Sequence, residues 1–338
     1  MHDLLIHDND LVLATHGRSF WILDDISPLQ QASDASRKAA LWLYDPAPAW
    51  RVHAPPVPKE APTSGQNPPP GAVVYFDVKE KPKSASLEIL DAAGKLVRRY
   101  SSTEPEPLEE PLDPDDEKPK NQLEIKPGMN RFVWDLRYES APHVKDYYLF
   151  EYEGGSKGPI ALPGKYQVKL TVDDKALTAP LELKLDPRVK ASQADLEKQF
   201  ATLIEIRGEL TRVYTAANQI VDLRAQLQDL RKRVKLAEVQ ALDEKLGALQ
   251  DHLLNLKIKA NEDSLNYGLG VDGSLASLAL IVDSESDSTP TEAALKQFEK
   301  VNAEVEEYMK RWSDIQQSDL PALQHAVEQQ GVKPLMVR

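Results

Sequence analysis

The chain has 338 residues, of which 41% are hydrophobic and 28% are charged, the composition of an ordinary globular protein with room for two or three domains. Its 54 acidic and 41 basic residues give a net charge of −13, so we expect no nucleic-acid partner. No run approaches the roughly 18 apolar residues that a membrane span requires, and the absence of cysteine excludes disulfides, thiolate catalysis and zinc sites with cysteine ligands.

Residues 1–30 contain three short apolar runs that are separated by turns. The first turn lies at 8–10, where the sequence is Asp-Asn-Asp, and the second lies at Gly17. This pattern predicts a three-stranded antiparallel meander. Because such a small sheet is only marginally stable by itself, we expect it to be the end of a larger array.

The second half of this meander carries a family resemblance. Residues 14–29 have the sequence Ala-Thr-His-Gly-Arg-Ser-Phe-Trp-Ile-Leu-Asp-Asp-Ile-Ser-Pro-Leu, which combines a Gly-Arg turn, an aromatic pair and an acidic exit. The segment resembles the final blade of the bacterial propeller proteins related to sortilin and to the BNR-repeat glycosyl hydrolases. In that family an immunoglobulin-like domain and a helical tail follow the blades, an order that this chain matches.

The resemblance implies that 1–30 is a remnant of the last propeller blade and that the chain is a fragment or has a misplaced start. It also implies a parent protein that is exported to the periplasm or the cell exterior, although the N-terminus lacks the basic-then-apolar order of a signal peptide. The expected partner is an upstream propeller domain or another protein.

The resemblance also bears on catalysis. Sialidase-type relatives assemble an arginine cluster, a tyrosine nucleophile with a glutamate, and an aspartate acid from many blades, and those blades are not in this sequence. There is also no complete Asp box, Ser-x-Asp-x-Gly-x-x-Trp. We therefore predict no catalytic residue and no cofactor. Arg18 is a weak candidate for contacting an acidic ligand, and pairing with a neighbouring carboxylate is the alternative.

Three histidines in this stretch raise the question of a metal site. His7 and His16 could meet across a hairpin, with His2 nearby in sequence. A third ligand and an orienting second shell are not evident. We therefore interpret these histidines as turn and strand residues and predict no metal site.

Residues 31–71 are interpreted as a proline-rich linker. Residues 33–44 fit a short helix or a strand, and nine prolines follow them up to Pro70. Since proline lacks a backbone donor and favours extended geometry, we predict a semi-stiff connector. A docking segment for a proline-reading domain is the alternative.

Residues 72–186 carry the pattern of a β-sandwich. Pro-Gly turns at 127–128 and 163–164 each begin a run in which apolar and polar residues alternate, as in half-buried antiparallel strands. About seven such strands predict an immunoglobulin-like or fibronectin-like fold. Residues 101–120, with eight acids and five prolines, are expected to form a solvated loop.

Aromatic residues concentrate in this region. Trp134 alternates with Phe132 and Leu136 and is therefore expected in the core. Tyr147, Tyr148 and Tyr152 are weak candidates for contacting a carbohydrate, because exposed rings stack on sugars. Packing in a core is the alternative interpretation of these tyrosines.

Residues 187–338 are predicted to be helical. Ser192 and Asp195 have the spacing of a capping box. Apolar residues then recur three and four positions apart, first up to Val234 and again from Val239 to Ala260. The sequence Thr-Pro-Thr-Glu at 289–292 predicts another capped start, with Pro290 at the first position of a further helix. We predict an antiparallel bundle of about three long helices. An intermolecular coiled coil is the alternative.

The sequence thus predicts a multidomain protein, mostly β and then α, with a remnant propeller blade, a β-sandwich and a C-terminal antiparallel helical bundle. The expected function is that of a non-catalytic scaffold or interaction region. One alternative is part of a sialidase-like glycosyl hydrolase whose active site lies in upstream blades. The other is a carbohydrate-binding module.

Overall fold

The computed structural model describes residues 2–53, 67–103, 123–144, 147, 149, 155, 157–283 and 287–331. The described residues fall into two compact units. A β unit is drawn from 2–103, 123–139 and 160–190, and a helical unit is drawn from 140–159 and 191–331. The predicted order of β structure followed by helices is therefore confirmed. Most of the acidic loop predicted at 101–120 lies outside the described residues.

The first three strands form a sheet of their own. These strands are β1 (Asp3–His7), β2 (Asp10–Ala14) and β3 (Phe20–Leu23), paired antiparallel in the order β1-β2-β3. Asp8 and Gly17 adopt positive φ angles of 53° and 80° in the two turns, a conformation that Gly and Asp tolerate better than most residues. The predicted meander is confirmed.

The other strands form two sheets. They are β4 (Leu41–Leu43), β5 (Ala49–Arg51), β6 (Ala72–Val78), β7 (Ala85–Asp91), β8 (Leu96–Ser101), β9 (Gly128–Trp134), β10 (Gly164–Val172) and β11 (Lys175–Leu185). One sheet has the order β5-β11-β10-β7-β8 and the other has the order β4-β6-β9. All described pairs are antiparallel except β5 with β11.

The two sheets share one apolar core, as alternation along the strands predicts. The core includes Phe76 from β6, Ile89 from β7 and Leu170 from β10, each almost fully buried. Trp134 of β9 is also fully buried, so its predicted core position is confirmed. The indole nitrogen of Trp134 donates to the Arg137 carbonyl at 2.9 Å, which satisfies the one polar atom of the side chain.

The structure differs from the sequence-based interpretation in the predicted linker at 31–71. Two short helices, α1 (Ser27–Gln30) and α2 (Asp34–Lys38), precede β4, and Ser33 caps α2. Strand β4 then pairs with β6, and β5 pairs with β11. Residues 33–44 therefore hold both a helix and a strand. The prolines at 46 and 48 fall between the strands, where a missing N–H donor costs no ladder bond.

The helical unit contains five α-helices in the described residues. They are α3 (Gln193–Arg233), α4 (Ala237–Leu254), α5 (Val271–Asp283), α6 (Glu292–Asp314) and α7 (Leu320–Glu328), with a π-helical stretch at Ile315–Asp319 between the last two. The predicted capping box is confirmed, because Ser192 and Asp195 each accept a bond from the backbone N–H of the other. Helix α4 ends before Ala260, since Asn255 adopts a left-handed conformation with φ of 39°.

Side-chain contacts fix the directions of these helices. Arg224 of α3 binds Asp243 of α4 at 2.9 Å, and Gln199 near the start of α3 donates to the carbonyl of Val282 near the end of α5 at 2.8 Å. Helices α4 and α5 therefore run back along α3 one after the other. Arg212, midway along α3, binds Glu306, midway along α6, at 2.5 Å. The helices enclose one apolar core.

Candidate functional site

The sheet formed by β1, β2 and β3 exposes apolar side chains on one face. Alternate residues of a strand point to opposite faces, and the register places Leu4 beside Leu13 and Leu13 beside Trp21. The apolar residues of this first face are Leu4, Ile6, Leu11, Leu13, Trp21 and Leu23. Trp21 is 61% exposed and Ile6 is 56% exposed, so the face is open to solvent.

The opposite face of the same sheet is apolar as well. The register places Leu5 beside Val12 and Val12 beside Ile22. The apolar residues of this second face are Leu5, Val12, Ala14, Phe20 and Ile22. Phe20 is 73% exposed and Ile22 is 60% exposed. A sheet that is apolar on both faces is typical of one that is covered on both faces.

We refer to these two faces together as the meander surface. Contiguous exposed apolar patches are unusual on a protein that works alone and mark sites of contact with another surface. The sequence indicates this two-sided apolar surface in two runs, Leu4-Leu5-Ile6 and Phe20-Trp21-Ile22-Leu23. These are continuous apolar runs, which indicate two covered faces, whereas alternation would indicate one.

Arg18 lies in the turn between β2 and β3 and is exposed. Its carbonyl accepts a hydrogen bond from the Trp21 indole nitrogen at 3.1 Å. Its guanidinium makes no ion pair with any carboxylate of the described residues. The carboxylate pairing considered for Arg18 is therefore not seen among the described residues, and its contact with an acidic ligand stays a prediction.

The histidines are placed by the register of the first hairpin. Asp3 pairs with Ala14 and His7 pairs with Asp10. This puts His7 at the turn and His16 beyond the other end, so these two do not meet. The ring of His2 instead lies 6.4 Å from the ring of His16. Within the described residues, no three His, Cys, Asp or Glu side chains converge in a way that could hold a metal ion.

Tyr147 belongs to the helical unit and packs against its core. Its hydroxyl oxygen lies 2.7 Å from Oδ2 of Asp272 and 2.8 Å from the carbonyl oxygen of Leu254. This position differs from the exposed ring that the carbohydrate hypothesis requires. Tyr148 and Tyr152, the other two candidates, lie outside the described residues.

The partner of Tyr147 is a buried carboxyl that sequence reasoning missed. Asp272 is the second residue of α5 and is fully buried. Burial raises the pKa of Asp272 to about 7, while the Tyr147 hydroxyl and the backbone amides of Asp272 and Gly273 act in the opposite direction. The sequence offers only a weak signal for this carboxyl, since Gly-Val-Asp-Gly at 270–273 is typical of a loop.

Comparison with known proteins adds little to this description. No protein-family model and no curated protein matches the chain. Among solved structures, CopC from Methylosinus trichosporium OB3b matches 45% of this chain and 99% of its own length, with 17% identity and a TM-score of 0.20. A likeness at that score carries no argument about fold or function. Among the described helices, none is long and apolar enough to cross a membrane.

Proposed function

We propose that this chain is a non-catalytic interaction region that docks onto a β-propeller domain through the meander surface. The propeller belongs either to the same polypeptide or to another protein. In this proposal β1–β3 acts as propeller-blade structure, the two sheets that follow form an immunoglobulin-like sandwich, and the helical unit is the tail of a sortilin-like or BNR-repeat protein.

The single observation that carries the proposal is the exposure of both faces of one small sheet. A partner with one flat apolar surface would cover one face and leave the other in water. Blades of a propeller stack face to face around an axis, so a blade between two neighbours is covered twice. The large apolar residues that β1 and β3 contribute to the meander surface are each 45–73% exposed, and their burial is favourable by roughly 25 cal/mol per Å².

Photo-cross-linking in the source cells tests the proposal. A photoreactive phenylalanine analogue replaces Trp21 on the first face or Phe20 on the second face. The matched control carries the analogue at Gln228, an exposed position of α3. We expect both meander positions to form links that mass spectrometry assigns to propeller-blade peptides, because both faces are covered, and the control to form none.

Several outcomes would contradict the proposal. One is that neither meander position links to a blade peptide although the protein is expressed and folded, and another is that both link only to peptides without a propeller pattern. Turnover of a sialoside or another aryl glycoside by the chain alone, abolished by a single substitution within it, would also contradict the proposal. Linking from one face only would show that the sheet is covered as a flat patch, contrary to the two-sided arrangement.

A further inference from the structure

The single proton of the Tyr147 hydroxyl is not enough to form both of the hydrogen bonds that the positions of its neighbours indicate. The hydroxyl oxygen of Tyr147 lies within hydrogen-bond distance of two acceptors, the Leu254 carbonyl at 2.8 Å and Oδ2 of Asp272 at 2.7 Å. A tyrosine hydroxyl carries one proton and can donate it to one acceptor. If Asp272 were ionised, one of these two close oxygen pairs would have no proton between its atoms.

A protonated, neutral Asp272 supplies the second proton that the two oxygen pairs require. The carboxylic acid then donates from Oδ2 to the hydroxyl oxygen of Tyr147, and Tyr147 donates its own proton to the Leu254 carbonyl. Each oxygen pair holds one proton. The other carboxyl oxygen, Oδ1, is buried and makes no hydrogen bond with the described residues. An unpaired buried oxygen is much less costly on a neutral acid than on an anion.

The groups around Asp272 favour the neutral form. Helix α3 contributes Tyr214, a buried phenol whose own pKa is raised by burial and by the charge of Asp272. Helix α4 contributes the Leu254 carbonyl at its C-terminal end, where the helix dipole is negative. The Tyr147 hydroxyl and the N-terminal amides of α5 favour the anion, but their effect on the pKa is smaller than that of burial. No cationic side chain of the described residues acts on the carboxyl.

We propose that Tyr147, Asp272 and the Leu254 carbonyl form a proton-dependent anchor, which holds Tyr147 through two hydrogen bonds while Asp272 is protonated and through only one when Asp272 ionises. Tyr147 is the only member of this anchor that lies outside α4 and α5. Loss of the proton therefore leaves the two helices in place and weakens the attachment of the chain around Tyr147. The anchor is independent of the meander surface and of its partner.

The sign of the pH dependence follows from the raised pKa. An unfolded Asp has a pKa of about 3.9, whereas Asp272 in the folded protein has a pKa of about 7. The folded state therefore binds more protons between these values, and stability falls as the pH rises through about 7.

His143, on the same stretch of chain as Tyr147, has the opposite effect on the pH dependence of stability. Burial lowers the pKa of His143, so its contribution is lost as the pH falls below the ordinary histidine value.

Thermal unfolding of the full chain between pH 5.5 and 9 tests the anchor, with Asp272→Asn as the matched variant. The asparagine amide can donate to the Tyr147 hydroxyl oxygen but cannot ionise. We expect the unfolding midpoint of the unaltered chain to fall on passing from pH 6 to pH 8.5, and we expect that fall to be absent or strongly reduced in Asp272→Asn. A Tyr147→Phe variant lacks the hydroxyl and is expected to have a lower midpoint at pH 6 and a smaller decrease above it.

Infrared spectroscopy provides a readout that does not depend on whether a variant folds. A protonated carboxylic acid has a carbonyl stretch that is separate from the carboxylate bands. At pH 6 the folded chain should show this stretch from a buried acid, and it should disappear with a midpoint near pH 7. Absence of the band at pH 6 would overturn the proposal. An unfolding midpoint with the same pH profile in the unaltered chain and in Asp272→Asn would also overturn it.

Discussion

Replacing Trp134 by alanine is expected to lower the free energy of unfolding by about 3–5 kcal/mol. The indole is fully buried in the core that the two sheets share, and its ring centroid lies 5.6 Å from that of Tyr166. Alanine would leave a large cavity there, and it would also remove the donor that now satisfies the Arg137 carbonyl. Urea denaturation followed by circular dichroism measures the change.

The matched control for this prediction is Met129→Ala. Met129 lies on the same strand, β9, but its side chain is 51% exposed. Its truncation should change the free energy of unfolding by no more than about 0.5 kcal/mol. If the two substitutions had similar effects, the assignment of Trp134 to the shared core would be wrong.

Replacing Leu227 by alanine is expected to destabilise the protein by about 2–5 kcal/mol. Leu227 is fully buried on α3, the helix against which α4 and α5 both pack. The removed atoms lose their apolar surroundings, and a helix that contacts several neighbours cannot shift easily to fill the cavity. Denaturation monitored by the helical signal at increasing urea concentration gives the magnitude.

Gln228→Ala provides the control at the adjacent position. Gln228 is exposed on the same helix, and alanine is at least as good a helix former as glutamine. We expect a change within about 0.5 kcal/mol of zero. A loss at Gln228 equal to that at Leu227 would show that the predicted buried stripe of α3 is not what stabilises the helical unit.

Local patterns in the sequence were sufficient to predict much of the fold. The alternation around Trp134, the capping box at Ser192 and the three-and-four spacing along α3 each reflect interactions between residues close in sequence. Such interactions can be found without knowing the fold. The strand at 49–51 was missed, and the strand at 41–43 was only one of two alternatives for residues 33–44, because both strands are short and their pairing is non-local. Strand β5, for example, is stabilised by a parallel partner, β11, far along the chain.

The difference between local and non-local interactions also explains which parts of the candidate sites could be predicted from the sequence. The apolar runs of β1 and β3 are visible in the sequence, but their exposure on both faces is a property of the whole structure. The buried Asp272 lies within a Gly-rich stretch, and its partner Tyr147 precedes it by 125 positions. Proximity at that separation depends on how the helices pack, which no local pattern encodes. For Tyr147, the sequence left contact with a carbohydrate and packing in a core as alternatives, and it gave no indication of Asp272 as the partner.

Amide hydrogen exchange on the purified chain most directly tests the claim that β1–β3 is built to be covered. Without a partner, the amides of β2 should exchange much faster than those of β10, although both strands are central in their sheets, because only β10 is backed by an apolar core. Equal protection of β2 and β10 in the isolated chain would contradict the account, since it would show that the meander is fully stable with both faces in water.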